Sequence, residues 1–205
     1  MRLSKVLIAA SVMVSLSAAP ALAQPGHVGV AGAGSLVVKP LVEKKVTDLP
    51  AGPLFWRIES FPSLAAAQAA AGPMSLAADA GGKAWLFTLG PAGGSSSGTK
   101  VAEIGPVPSL TARAYLLRVN EASGPPGSVS PVHSHPGSEA VYVLAGEESF
   151  RTPHGVERVG AGKSEAGSGP NTPMQASSSG TTNLHAFIMF VVDAGQPFSR
   201  PARFP

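Results

Sequence analysis

GSVSPVHSHPGSEAVYVLAG, Gly127 to Gly146, is the stretch on which the fold and any chemistry of this chain turn. His133 and His135 sit two apart, and Glu139 follows four residues later. In a β-strand, residues i and i+2 point to the same face, so the two imidazoles aim at one point. Pro136 and Gly137 end that strand, and Glu139 opens the next one, Ala140 to Leu144. Two neutral imidazoles and one carboxylate then converge as donors for a divalent transition metal, with coordination positions left open.

Outward from this stretch the chain reads as strand after strand. Lys100 to Ile104, Ala112 to Asn120, Ser128 to His133, Ala140 to Leu144, Glu148 to Arg151, Val156 to Arg158 and Leu184 to Val192 are short β-rich runs punctuated by Gly and Pro. Such spacing predicts an antiparallel sandwich or barrel. Upstream, Leu54 to Phe61 reads as a strand. Ser63 caps a short alanine-rich helix over Leu64 to Ala71, and Gly72 ends it. Ser75 to Ala80 and Lys83 to Leu89 are two strands about a Gly81-Gly82 turn. Leu36 to Val38 and Val42 to Val46 are shorter runs interrupted by Pro40. Gly90 to Gly98, GPAGGSSSG, is the clearest internal linker and marks a boundary.

The first residues read as a targeting segment. Arg2 and Lys5 precede the apolar run Val6 to Leu16, too short to span a bilayer, and Ala21-Leu22-Ala23 gives a small-x-small cleavage signature. Cleavage after Ala23 predicts a periplasmic or secreted protein with no membrane attachment. Gln24 to Ser35 is a glycine-rich leader, and its His27 is read as solvated. The 205 residues contain no cysteine, so no disulfide forms and stability rests on burial. The formal charge is +3, and two of the positive charges, Arg2 and Lys5, belong to the targeting segment. No basic patch speaks for nucleic acid or for a polybasic membrane site.

The spacing from Gly127 through His133, His135 and Glu139 to Gly146 resembles the first motif of the cupin superfamily at every defined position, and a hairpin turn at Thr152-Pro153-His154-Gly155 follows it. The resemblance covers roughly residues 98–205. It implies an all-β fold, a double-stranded β-helix or jelly-roll barrel holding the metal, with a pocket beside it. The division expected is 1–23 targeting segment, 24–49 leader and first short strands, 50–97 strand–helix–strand extension, and 98–205 barrel. The extension adds strands to the barrel sheet, packs against an open end, or builds a dimer surface. The family's second motif is matched less well. Gly162 serves as its opening glycine, but in GPNTPMQ, Gly169 to Gln175, Met174 stands where a third histidine is expected. Met174 is read as an apolar barrel residue, as a soft fourth ligand favouring copper, or as a sign of a shifted motif. His185 is the alternative substitute, facing the barrel interior beside Phe187 and Met189, or else a hydrogen-bonded core histidine. The resemblance implies iron, manganese, zinc, nickel or copper at His133, His135 and Glu139. It also implies a small-molecule substrate or ligand. Relatives of this kind include dioxygenases, isomerases and decarboxylases, but also non-catalytic sugar or small-ligand binders, and they often form homodimers. Tyr142 and Gln175 lie near the expected site as possible orienting groups.

Overall fold

A computed structural model describes residues 34–205, so the targeting segment and most of the leader, with His27, lie outside the described residues. Fourteen strands and one helix follow one another: β1 (Val37–Val46), β2 (Phe55–Phe61), α1 (Leu64–Ala70), β3 (Ser75–Ala80), β4 (Lys83–Gly90), β5 (Thr99–Ile104), β6 (Tyr115–Gly124), β7 (His133–Ser134), β8 (Gly137–Ala145), β9 (Glu147–Thr152), β10 (Gly155–Gly160), β11 (Ser164–Glu165), β12 (Gln175–Ser178), β13 (Leu184–Asp193) and β14 (Arg200–Pro201).

The strand β13, LHAFIMFVVD, organises the rest. Nearly every residue of it is buried, as a strand covered on both faces requires. It lies at the centre of a five-stranded sheet ordered β1-β6-β13-β8-β11. Ala186, Ile188, Phe190 and Val192 point to one face, where they pack with Val141, Val143, Phe150, Val159 and Ala176. This is the barrel interior, closed on its far side by the three-stranded sheet β10-β9-β12. Phe187, Met189 and Val191 point to the other face. There they meet Trp56, Ile58, Leu76, Trp85, Phe87 and Leu89 of a four-stranded sheet ordered β3-β4-β2-β5. Phe187 lies edge-on to both Trp85 and Phe87, with ring centroids 5.1 Å apart in each pair.

The extension therefore neither lengthens the barrel sheet nor plugs an open end. It covers the outer face of the large sheet. Pairing also redraws the expected boundaries. β1, expected with the leader, runs unbroken through Pro40 as an edge strand of the barrel sheet, and a register shift between Pro40 and Val42 absorbs the missing amide. β5, expected to open the barrel, pairs with β2 in the extension. The Gly90 to Gly98 run joins two strands of one sheet rather than two domains. Glu59 accepts hydrogen bonds there from the Ser96 amide and hydroxyl, both at 2.8 Å.

Local signals held where they were strongest. The Ser63 hydroxyl accepts from the Ala66 amide at 3.2 Å, and α1 ends one residue early, at Ala70. The motif's closing glycine, Gly146, has φ +75° where the chain leaves β8 for β9 in the facing sheet, and a Cβ there would lie 2.7 Å from the Asn183 carbonyl. Ser128 to His133, read as one strand, is mostly irregular, with only His133–Ser134 assigned to β7 and a single-residue bridge at Val129.

Because Phe187 is fully buried between the two sheets, Phe187→Ala is expected to cost about 3–5 kcal/mol. Urea denaturation of the two proteins measures it, and a loss below about 1 kcal/mol would mean the extension is not fixed through this strand.

Candidate metal centre

The irregular run after β6 delivers His133 and His135 to the rim of the barrel, and β8 carries Glu139 beneath them. His133 is held by backbone pairing with Met174 in both directions, at 2.9 and 2.8 Å. Its ring Nδ1 lies 2.8 Å from the Pro131 carbonyl, and the Nδ1 of His135 lies 2.7 Å from the Phe198 carbonyl. A carbonyl only accepts, so each ring donates from Nδ1 and keeps its Nε2 lone pair free. The two rings stand edge to face, with centroids 5.0 Å apart. Nε2 of His135 faces Oε2 of Glu139 at 3.8 Å.

That separation is too long for a hydrogen bond, and Glu139 Oε2 is buried with no partner. Nor is it an ion pair at neutral pH. Burial pushes the His135 imidazole down to about 4, against a weaker upward pull from the Phe198 carbonyl. Burial also pushes the Glu139 carboxyl up to about 8. Both groups are thus uncharged near pH 7, as expected of polar groups without a counter-ion in an apolar barrel. The backbone of Gly167, with φ +68°, passes so close to the Glu139 carbonyl that a side chain there would collide with it.

His133, His135 and Glu139 all line one cavity of about 450 Å³, whose other walls are largely apolar: Leu36, Val38, Ile188, Phe190, Phe198 and Pro201 among them. The C-terminal segment forms part of the wall. β14 pairs with β7, and Phe198 packs at ring-centroid distances of 4.7 Å on His135 and 4.9 Å on Phe190. Arg118 stacks its guanidinium 4.2 Å over Phe198 from the other side and pairs with Glu43.

The remaining candidates fall elsewhere. Met174 is buried opposite His133, but its side chain lines a second cavity on which Glu139 also borders. His185 does share a face with Phe187 and Met189, but that face is the outer one. It bonds Glu121 at 2.6 Å near the Gly81 turn, so it cannot stand in for the missing histidine. Tyr142 packs against the core shared with the extension, and Gln175 donates to the Ser130 carbonyl. Neither faces the histidines as a substrate-orienting group.

Two contributors went unread in the sequence. Phe198 acts through a backbone carbonyl, which leaves no residue signal. Glu148 is fully buried with both carboxyl oxygens unpartnered. Burial first, and the Glu139 carboxyl second, push it up to about 8. Its signal was parity: it lies two residues before the inward-facing Phe150 in β9.

Among the described residues no group of three or more His, Cys, Asp or Glu side chains is gathered as a metal-holding cluster. The donor chemistry fits a divalent metal all the same. Two Nε2 lone pairs are presented by fixed tautomers, and a buried carboxyl oxygen beside one of them is orphaned. The positions stand as a pair, His135 and Glu139, with His133 on the same cavity wall.

The buried groups make stability depend on pH. Glu139 and Glu148 hold their protons more tightly folded than unfolded, so their contribution is full below about 4.5 and is lost as pH rises towards about 8. His135 works the other way, adding stability as pH rises from about 4 to 6.5. Between 6.5 and about 8 only the carboxyls act. The melting temperature of chelator-treated protein should fall across that window, and Glu148→Gln should flatten the fall. A melting temperature that climbs there in both proteins would contradict these assignments.

No protein-family model and no curated protein matches the chain. Solved structures do. A cupin-like protein from Thermotoga maritima is 16% identical over 42% of this chain and 64% of its own, with a TM-score of 0.37. A double-stranded β-helix protein from Klebsiella pneumoniae is 26% identical over 42% and 75%, at 0.36. A DMSP lyase from Ruegeria pomeroyi is 24% identical over 42% and 43%, at 0.36. The chain spans between 44% and 64% of the first solved structures it matches. Each of these likenesses covers 42% of this chain; the chain itself folds as an all-β barrel of two facing antiparallel sheets, and His133, His135 and Glu139 of the Gly127 to Gly146 motif border one cavity.

Proposed function

We propose that the barrel binds a divalent transition metal through Nε2 of His133, Nε2 of His135 and the Glu139 carboxylate. The apolar cavity beside it receives a small organic molecule, and the protein acts on that molecule as a metal-dependent enzyme. The observation that carries this reading is the buried, unpartnered Oε2 of Glu139 facing the free Nε2 of His135. Burying such a carboxyl costs free energy that a bound dication would offset. When bound, the metal supplies Lewis-acid polarisation of an oxygen-bearing ligand, or dioxygen activation if it is iron.

The chain's own residues do the rest. The Pro131 and Phe198 carbonyls fix the imidazole tautomers. Phe190 and Phe198 flank His135 and keep water from it, so that polar contacts inside the cavity act at low dielectric. Asn120, whose buried Oδ1 has no partner, borders the same cavity and offers a polar contact to an occupant. A non-catalytic binder is the second reading, favoured by the scarcity of general acids or bases on this wall beyond the proposed ligands. The targeting-segment signature at Arg2 to Ala23 supports export, where metal supply differs from that of the cytoplasm.

Titration calorimetry of chelator-treated protein with Mn²⁺, Fe²⁺ and Zn²⁺ tests the metal. One equivalent is expected. His133→Ala and His135→Ala should each weaken binding by more than about tenfold, and Met174→Leu should leave it unchanged. Absence of stoichiometric binding by the wild-type chain with all three ions would end this reading.

A further inference from the structure

β6 runs beside β13 in the large sheet, and its Asn120 lies directly opposite Ile188. Leu116 and Ala122, an even number of residues away on the same strand, belong to the barrel core. Asn120 therefore faces the interior as well, and it borders the cavity of about 450 Å³ that His133, His135 and Glu139 also line. Asparagine is a costly residue for such a place. It is disfavoured in strands, and an apolar side chain would be buried there without loss. Asn120 is only 4% exposed, and its Oδ1 has no hydrogen-bond partner. Ser130, another polar residue of the wall, is satisfied by contrast: its hydroxyl donates to the Pro131 carbonyl and accepts from the Ala176 amide.

The rest of the wall limits what can satisfy Asn120. A carboxamide oxygen only accepts, so an occupant must bring a donor. Ile188, Phe190 and Phe198 offer it apolar surface, and a cavity of this size takes a whole small molecule. No lysine or arginine lines the cavity. Arg118 stands behind Phe198 and is paired with Glu43. An anionic occupant would thus be buried without a protein cation. A cationic one would compete with the metal for Glu139, the one carboxyl group on the wall. A neutral hydroxyl group meets neither obstacle.

We propose that Asn120 is a specificity-determining residue of this cavity, and that the ligand is a small uncharged hydroxyl compound. The hydroxyl donates to Oδ1 of Asn120, and the apolar body lies against Ile188, Phe190 and Phe198. The inference rests on the reading of this cavity as the ligand site, but not on the Glu139 oxygen that supports the metal.

4-Ethylphenol, its methyl ether 4-ethylanisole and the anion 4-ethylbenzoate are the probes, titrated into chelator-treated full-length protein and followed by chemical shift changes. The phenol should bind at least about fivefold tighter than the ether, which lacks the donor. It should bind at least about tenfold tighter than the anion. In Asn120→Leu, a substitution of nearly the same shape, the preference for phenol over ether should vanish, with ether binding no weaker than in the wild type. The wild-type comparison stands whether or not that variant folds. Equal binding of phenol and ether, an anion that binds as tightly as the phenol, a preference that survives in Asn120→Leu, or no binding of any probe would each overturn the inference. Metal uptake is read separately by calorimetry. A chain that binds no metal but keeps the phenol preference would remove the metal reading alone.

Discussion

The structure depends on one strand being buried on both of its faces. Before its closing Asp193, β13 carries eight apolar residues and His185, and all eight apolar residues, on both faces, are buried. Side-chain alternation then splits its residues between two cores. One half fills the barrel. The other half demands a cover, which the four-stranded extension provides through Trp85, Phe87 and their neighbours. The extension is thus a consequence of the sheet's apolar outer face. The same alternation decides chemistry: Phe190 stands beside His135, whereas His185, an odd number of residues away, is sent to the opposite face.

The barrel interior that results is hostile to polar groups and contains several. His135, Glu139 and Glu148 sit in it without charge partners. Folding holds two of them neutral against their ordinary tendency to ionise. Such groups persist at a cost in stability, and in native proteins that cost marks either a structural network or a site. No network satisfies Glu139 here. Instead two imidazoles are locked by backbone carbonyls with their free nitrogens towards its cavity. The Phe198 carbonyl does this from the far end of the chain, so the order of the last strand and the order of the site are coupled.

Much of this was legible in the sequence, for identifiable reasons. Hydrophobic alternation and turn residues are local, so β3 was read with its observed limits and the Gly127 to Gly146 motif placed its histidines on one cavity. What failed was non-local. β1 and β5 look alike as short strands, and only pairing partners separate barrel from extension. The side of β13 on which His185 falls could be counted, but which side was interior could not. Glu148 resembled any charged residue at a strand start, until its parity with Phe150 placed it inside.

Extended X-ray absorption of the metal-loaded protein tests the central claim most directly, because it reports ligands at the metal itself. The account predicts a first shell of nitrogen and oxygen only, with outer-shell scattering from two imidazoles that drops to one in His135→Ala. A sulfur shell, or a spectrum without imidazole scattering, would place the metal elsewhere and contradict the site built on His133, His135 and Glu139.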